Sequence, residues 1–228
     1  MSEIKISTHW NLFERVFSAK RMRPYIDACG GNSEKAVALF EYNSRVGAEL
    51  WLLISHIEIS LRNALNEQMI DLAKKRNYQY SWLTDEENIL GSKNENPSHT
   101  LFNEIEKAKK RIQKKQKALT DSQLVADLSL SFWSRLVSKS YTNIWPDLAS
   151  AFPNMNSREQ TLAFEVINDL TLMRNRIAHH ERVWNFDLEY YVASFIQLAA
   201  YLDWGLYDYL ADIADNILQI IETSRFVP

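Results

Sequence analysis

Residues 33–74 read SEKAVALFEYNSRVGAELWLLISHIEISLRNALNEQMIDLAK, and this stretch decides the fold. Apolar side chains recur along it at steps close to three and four residues, the spacing of one face of an α-helix. They are Val37, Leu39, Phe40, Val46, Leu50, Leu53, Ile54, Ile57, Leu61 and Leu65. Asn32 or Ser33 supplies a capping side chain at the start. The stretch therefore predicts one long helix that ends near Lys74.

The rest of the chain also favours helices. Only 5 Gly and 5 Pro occur in 228 residues, which is too few for a turn-dense β-sandwich or a disordered chain. We predict an all-α helical bundle of about six helices in a single domain, residues 1–228. Short helical pieces occupy residues 1–31. A later helix over 98–119 contains a basic helical segment at 107–117.

Capping patterns predict the later helix boundaries. Capping boxes at residues 120–123 and 156–159 mark the starts of two helices. The first of these runs toward Lys139. A last helical stretch extends to about Glu222, with a bend at Gly205. No internal repeat and no linker divides these elements.

Composition restricts the class of protein. The net charge of -3 argues against a protein that coats nucleic acid through its overall charge. Cys29 is the only cysteine, which excludes an intrachain disulfide and a thiolate metal cluster. No secretory signal and no membrane-spanning run is visible, so we expect a cytoplasmic protein. The histidines lack metal-ligand spacing, and we expect no metal and no cofactor.

The segment 169–185, DLTLMRNRIAHHERVWN, concentrates the chemistry of the chain. Arginine presents a planar, permanently charged fork that matches phosphate oxygens. Histidine titrates near neutrality and can take a proton from one oxygen and return it to another. Cleavage of RNA by its own 2′-OH needs these two functions and no metal. Arg174, Asn175 and His179 are therefore the candidate catalytic residues.

The spacing of Arg174 and His179 raises a geometric problem. On an ideal helix their side chains would point about 140° apart. They converge only if the helix ends or bulges here, or if two copies of the chain share one site. Asn175 and His179 do share a face, so Asn175 can orient the imidazole within one chain.

Arg174-Asn175 followed by three residues and His179 resembles the RNxxxH form of the signature of the HEPN superfamily. The longer string 174–182, RNRIAHHER, closely resembles the Abi-like (abortive infection) branch of that superfamily. Residues 125–133, then Trp145 and Phe152-Pro153, are similar to the run that precedes the motif in that family. Residues 57–65 resemble its first long helix.

This resemblance implies a HEPN-type bundle that dimerises through its motif helices and acts as a metal-independent endoribonuclease. The setting would be antiphage abortive infection or a toxin system. His179 would be the general acid or base, Arg174 the phosphate clamp, and Asn175 an orienting group. The expected partners are an RNA substrate, a second copy of the chain, and an antitoxin protein or regulatory RNA, with no membrane.

Two further sets of polar residues are candidates for support of the site. Around the motif they are Arg176, His180, Glu181 and Arg182, of which His180 takes over proton transfer if it turns inward instead of His179. On the long helix they are Glu58, Arg62 and Asn63. Glu58 and Arg62 either pair with each other or face the motif. Trp184 is the aromatic residue to test as a platform for base stacking.

The segment 107–117 carries a run of cations in a chain of net negative charge. Its members are Lys107, Lys109, Lys110, Arg111, Lys114, Lys115 and Lys117. Such a run is commonly a solvated helix face. Equally, it could attract RNA, in which case its contribution would weaken with salt.

Two other functions remain open at this stage. The chain could be a non-catalytic module that binds RNA or nucleotide within a defence or toxin–antitoxin system. It could also be an interaction subunit whose motif surface is covered by an antitoxin. An intact pair of Arg174 and His179 favours the enzyme, because a binding module does not need a titrating histidine at that position.

Overall fold

The computed structural model describes residues 2–94 and 97–224, with side chains for 9–94 and 98–224. Within these ranges it contains ten α-helices and no β-strand, which confirms the all-α prediction. The helices are α1 (Ser2–Phe17), α2 (Ala19–Ala28), α3 (Ser33–Lys75), α4 (Leu101–Lys114), α5 (Asp121–Asp127), α6 (Leu130–Leu136), α7 (Trp145–Leu148), α8 (Gln160–Ala178), α9 (Leu188–Leu202) and α10 (Trp204–Thr223). No helix in the described ranges is long and apolar enough to cross a membrane.

The chain forms two compact units. Unit 1 comprises residues 1–53, 173–193 and 211–228, and unit 2 comprises residues 54–172 and 194–210. The long helix α3 contributes its first half to unit 1 and its second half to unit 2. The division therefore does not follow a linker in the sequence, and the single domain over 1–228 stays a prediction.

The long helix and the N-terminal pieces agree with the sequence. Helix α3 ends at Lys75, and Asn32 caps its start by accepting a hydrogen bond from the backbone N–H of Lys35 at 3.0 Å. Helices α1 and α2 occupy the N-terminal region, and α2 is closed by Gly30 and Gly31, both with positive φ. Glycine is suited to this position because it has no Cβ to oppose a left-handed backbone.

Several helix boundaries differ from the prediction, so the helices are more numerous than about six. Thr120 caps α5 as expected, through a hydrogen bond from the Gln123 N–H at 3.2 Å. The helix does not continue toward Lys139, because Leu128 is extended and Ser129 caps a new helix, α6. The final stretch is likewise divided, at Asp203 rather than at Gly205. The Asp203 carboxylate accepts the Leu206 N–H at 2.9 Å and so starts α10.

Two predicted boundaries are wrong. Helix α8 begins at Gln160, so the predicted capping box at 156–159 does not form. Tertiary hydrogen bonds hold this region instead, since Trp145 Nε1 donates to the Arg158 carbonyl at 2.7 Å. The basic segment is helical only as far as Lys114 and not to residue 117 as predicted. Gln116 adopts a φ of 53°, a left-handed conformation that does not continue α4.

Each unit has its own apolar core. In unit 1, Tyr25 and Leu39 are buried among aromatic residues that include Phe13, Phe40 and Trp184. In unit 2, a cluster of aromatic rings joins Trp82, Phe132 and Trp133 at centroid distances of 5.0–6.3 Å. Each of these large rings removes a large apolar area from water.

Candidate active site

Helix α8 ends inside the polar segment, within unit 1. The His180 N–H donates to the Ile177 carbonyl at 2.9 Å, and the Glu181 N–H donates to the Arg176 carbonyl at 2.7 Å. This pair of bonds is the Schellman pattern that closes a helix, with His179 at the cap position. A helix end at the motif, one of the alternatives raised by the 140° separation, is therefore present, and a site shared by two copies stays a prediction.

His180 occupies the left-handed position of this closure. Its φ is 53°, a conformation that costs a side chain other than glycine roughly 1 kcal/mol or more. Histidine tolerates this region better than most residues. The Arg21 guanidinium, on α2, donates a hydrogen bond to the His180 carbonyl oxygen. Arg21 therefore anchors the turn that carries both histidines.

Arg176 spans the same turn from the helix side. Its Nε donates to the Arg182 carbonyl at 3.2 Å, and its Nη1 lies 3.5 Å from Glu181 Oε2. The guanidinium also lies over the Phe186 ring, 4.6 Å from the centroid. Through these contacts Arg176 and Glu181 stabilise the turn.

Asn43, on α3, fixes the far end of the turn. Only 8% of this residue is exposed, and its Oδ1 accepts hydrogen bonds from the N–H groups of Val183 at 2.7 Å and Trp184 at 3.2 Å. A buried amide that satisfies two backbone donors is a strong positional constraint. Trp184 itself packs against Tyr25 at a centroid distance of 6.3 Å and is partly buried against the core of unit 1, so its use as a platform for base stacking stays a prediction.

Arg174 and His179 occupy different surroundings in unit 1. The Arg174 guanidinium lies 5.4 Å from the centre of the Trp51 ring, in a cation–π arrangement. His179 lies on an exposed turn, where it lines a small cavity of about 380 Å³. Arg174 does not line that cavity. Asn175 is half-buried, and its carbonyl accepts the His179 N–H at 3.0 Å.

The small cavity is strongly basic, and we call it the basic cavity. Its lining comprises Ser18, Lys20, Arg21, Pro24, Tyr25, Arg176, His179, His180, Glu181 and Arg182. Burial raises the pKa of the Tyr25 phenol, against the opposing effect of nearby Arg21 and Arg182. Tyr25 is therefore a neutral hydroxyl at physiological pH. Four arginine and lysine side chains against one carboxylate favour an anionic ligand.

The remaining candidates of the sequence analysis lie in unit 2. Glu58, Arg62 and Asn63 follow the unit boundary on α3, and Arg62 Nε donates to Asn63 Oδ1 at 3.3 Å. Their support of the motif stays a prediction. In the basic segment, Lys109 pairs with Glu106 at 2.7 Å, and Arg111 pairs with Asp127 at 2.7 Å.

Part of the basic segment is therefore already neutralised by neighbouring carboxylates. Lys115 also lies 3.9 Å from Asp127. The side chains of the remaining lysines of the segment are exposed: Lys107, Lys110, Lys114 and Lys117. These pairs are near the surface and weak in energy, but they lower the local positive charge. A solvated helix face accounts for this arrangement, and RNA binding by the segment stays a prediction.

The chain matches a known protein family. The sequence model of a family described as Abi-like protein matches residues 1–185, which is most of the chain and includes the whole motif 174–182. The chain belongs to the Abi-like protein family. Membership points to a role in abortive infection defence and is compatible with a nuclease. Searches of curated proteins and of solved structures each returned no match.

Several residues around the candidate site were missed by sequence reasoning. Lys20, Arg21, Asn43 and Trp51 surround the turn or touch Arg174, although they lie more than a hundred positions earlier in the chain. A usable signal existed only for Asn43, a polar residue on the buried side of the long helix. In the described part of the chain, no group of three or more His, Cys, Asp or Glu side chains is arranged to hold a metal ion.

Replacement of Asn43 by leucine is expected to lower the free energy of unfolding by about 1–3 kcal/mol. The substitution keeps the branching and the number of heavy atoms of the side chain but leaves two backbone donors of the turn without their acceptor. Denaturant unfolding of the purified protein measures the effect. Ser44→Ala is the matched control, because the exposed Ser44 hydroxyl bonds only its own helix, at the Phe40 carbonyl. Equal midpoints of denaturant unfolding for Asn43→Leu and Ser44→Ala would contradict the proposal that Asn43 anchors the turn.

Proposed function

We propose that this Abi-like protein is a metal-independent endoribonuclease of the HEPN type, acting in abortive infection or as a toxin. The observation that carries the proposal is the basic cavity at the end of α8. It combines a proton-transfer group, His179, with the cations Lys20, Arg21, Arg176 and Arg182. Phosphodiester cleavage requires a group that transfers a proton and cations that stabilise the charge on the phosphate.

The proposed reaction uses the 2′-OH of the substrate as its nucleophile. His179 takes the proton of this hydroxyl and returns a proton to the departing 5′-oxygen, so the proton lost at the 2′-oxygen is regained at the 5′-oxygen. As the 2′-oxygen bonds to phosphorus and the 5′-oxygen leaves, the phosphate carries its greatest charge, and Arg174 with the cations of the basic cavity stabilises it. The products are a 2′,3′-cyclic phosphate and a 5′-hydroxyl. No metal is needed to generate the nucleophile, because the 2′-OH already lies beside the phosphorus.

A dimer would bring the two separated groups together. Arg174 lies on the Trp51 ring and His179 lines the basic cavity of the same chain. In the proposed dimer, the Arg174 guanidinium of one protomer approaches the basic cavity of its partner. A two-fold axis would then create two equivalent composite sites. Asn175 orients the imidazole within each protomer.

The decisive experiment is cleavage of a mixed RNA pool by the purified wild-type protein in excess chelator. We expect fragments that end in a 2′,3′-cyclic phosphate, identified by their ligation behaviour or by mass spectrometry. Cleavage that disappears with chelator, or fragments that carry a 5′-phosphate, would contradict the mechanism. RNA binding without any cleavage would instead support the non-catalytic module.

A further inference from the structure

A second, larger cavity opens beside the motif turn in unit 1, and we call it the aromatic cavity. Its volume is about 950 Å³, at the upper end of the range of small-ligand sites. Four aromatic side chains line it, Phe17 from α1, Tyr25 from α2, and Phe40 and Trp51 from α3. Tyr25 also lines the basic cavity and Trp51 also contacts Arg174, but Phe17 and Phe40 have no role in the proposed chemistry of His179.

Two of the four aromatic side chains are unusually exposed for apolar groups. Phe17 is 39% exposed and Trp51 is 40% exposed, although both rings border a formed cavity. Phe17 and Phe40 stack nearly parallel, with centroids 5.1 Å apart and planes inclined by 18°. An exposed aromatic surface of this kind marks a binding site more often than a solvated face. Flat π faces are suited to stacking a flat ligand.

The charged residues beside the aromatic cavity indicate which class of flat ligand it would bind. Arg21, Tyr25, His180 and Glu181 line both cavities, so the aromatic and basic cavities adjoin along the motif turn. A ligand that spans both must carry a flat apolar ring and an anionic group a short distance from it. A nucleotide unit of RNA has this combination, with the base on one side of the ribose and the phosphate on the other.

We propose that the aromatic cavity takes one unpaired base of the RNA substrate while the basic cavity takes the adjacent phosphate. The substrate class is then single-stranded RNA, because a base in a duplex is already stacked and paired and cannot enter. This inference rests on the proposed function for the role of the basic cavity. It adds a determinant of substrate choice formed by Phe17, Phe40 and Trp51.

Gly47 provides a substitution that changes the aromatic cavity without replacing a residue of the motif. It lines the cavity from α3, and a Cβ placed on it would meet only Ile177 Cγ2, at 4.0 Å. Gly47→Ala therefore fits and is the matched control, whereas Gly47→Leu extends a side chain into the cavity. Both variants keep all the cations of the basic cavity.

The first measurement is competition against a labelled single-stranded RNA hexanucleotide bound to the full chain carrying His179→Ala, so that the probe is not cut. We expect at least one of AMP, GMP, CMP and UMP to compete about tenfold better than ribose 5-phosphate, because stacking of the base adds to the binding of the phosphate. Adding Gly47→Leu should weaken competition by this nucleotide to the level seen with ribose 5-phosphate. Adding Gly47→Ala should leave its competition unchanged.

Phe17→Leu is a second test that does not depend on filling the cavity. It keeps an apolar side chain at an exposed position but removes the π face, so the advantage of the nucleotide should shrink while ribose 5-phosphate is unaffected. Equal competition by nucleotide and ribose 5-phosphate, or an advantage that survives both Gly47→Leu and Phe17→Leu, would overturn the base site. Failure of the hexanucleotide to bind would overturn it as well.

The cleavage assay separates this inference from the proposed function. If the wild type cuts single-stranded RNA and the same sequence in a duplex at equal rates, the base site is wrong and the ribonuclease stands. If the wild type cuts no RNA but the nucleotide advantage depends on Gly47 and Phe17 as described, the ribonuclease is wrong and the base site stands. The expected result is cleavage at least about tenfold slower for the duplex, since its bases must first be extruded.

Discussion

RNA cleavage by His179→Ala is expected to fall about 10²–10⁴-fold below that of the wild type, the usual loss when a positioned acid–base group is removed. The fold should be unaffected. His179 is exposed, and the turn is closed by backbone bonds, including the bond from its own N–H to the Asn175 carbonyl at 3.0 Å. Alanine preserves those bonds. Single-turnover cleavage of RNA in chelator measures the rate, and thermal unfolding checks the fold.

His180→Gly is the variant that separates the two adjacent histidines. Glycine is the preferred residue at the left-handed position that His180 occupies, so the turn is retained and its strain is relieved. We expect this variant to be more active than His179→Ala by at least about tenfold. The reverse order would assign proton transfer to His180, the alternative that the sequence left open.

Arg174→Ala is expected to slow cleavage about 10²–10³-fold, the range for the loss of one group that stabilises charge in a transition state. Arg174→Lys should recover only part of the rate, because an ammonium keeps the charge but loses the planar fork that grips two phosphate oxygens. Thermal unfolding of each variant checks that the fold is retained. Initial rates of wild type, Arg174→Ala and Arg174→Lys on one RNA measure the effect.

Mixing the two inactive variants tests whether the site is shared between protomers. If Arg174 acts on the partner's basic cavity, a dimer of Arg174→Ala with His179→Ala contains one intact site of two. After exchange of subunits, the mixture should regain about a quarter of wild-type activity, because half of the dimers are mixed and each of these has one working site. No recovery, with exchange verified by tagged subunits, would place both groups in one protomer and contradict the shared site.

The sequence alone was enough to predict the all-α class and the long helix. Helix α3 follows from apolar periodicity and from Asn32, both of which act within a few residues along the chain. The boundaries of the shorter helices were less predictable, because contacts with residues distant in sequence compete with local capping. The predicted box at 156–159 is replaced by contacts such as Trp145 Nε1 with the Arg158 carbonyl, thirteen positions away.

The candidate site is likewise determined partly by local sequence and partly by contacts between distant residues. The residue types of 174–182, and with them the Abi-like family, are readable in the sequence because they are contiguous. What surrounds them is not. Arg21 reaches the His180 carbonyl across 159 positions, and Asn43 reaches the Val183 N–H across 140. No periodicity or spacing along the chain encodes such contacts. They arise only when packing of the helices in unit 1 brings α2 and α3 to the turn, and only the tertiary structure could therefore add the basic and aromatic cavities to the motif.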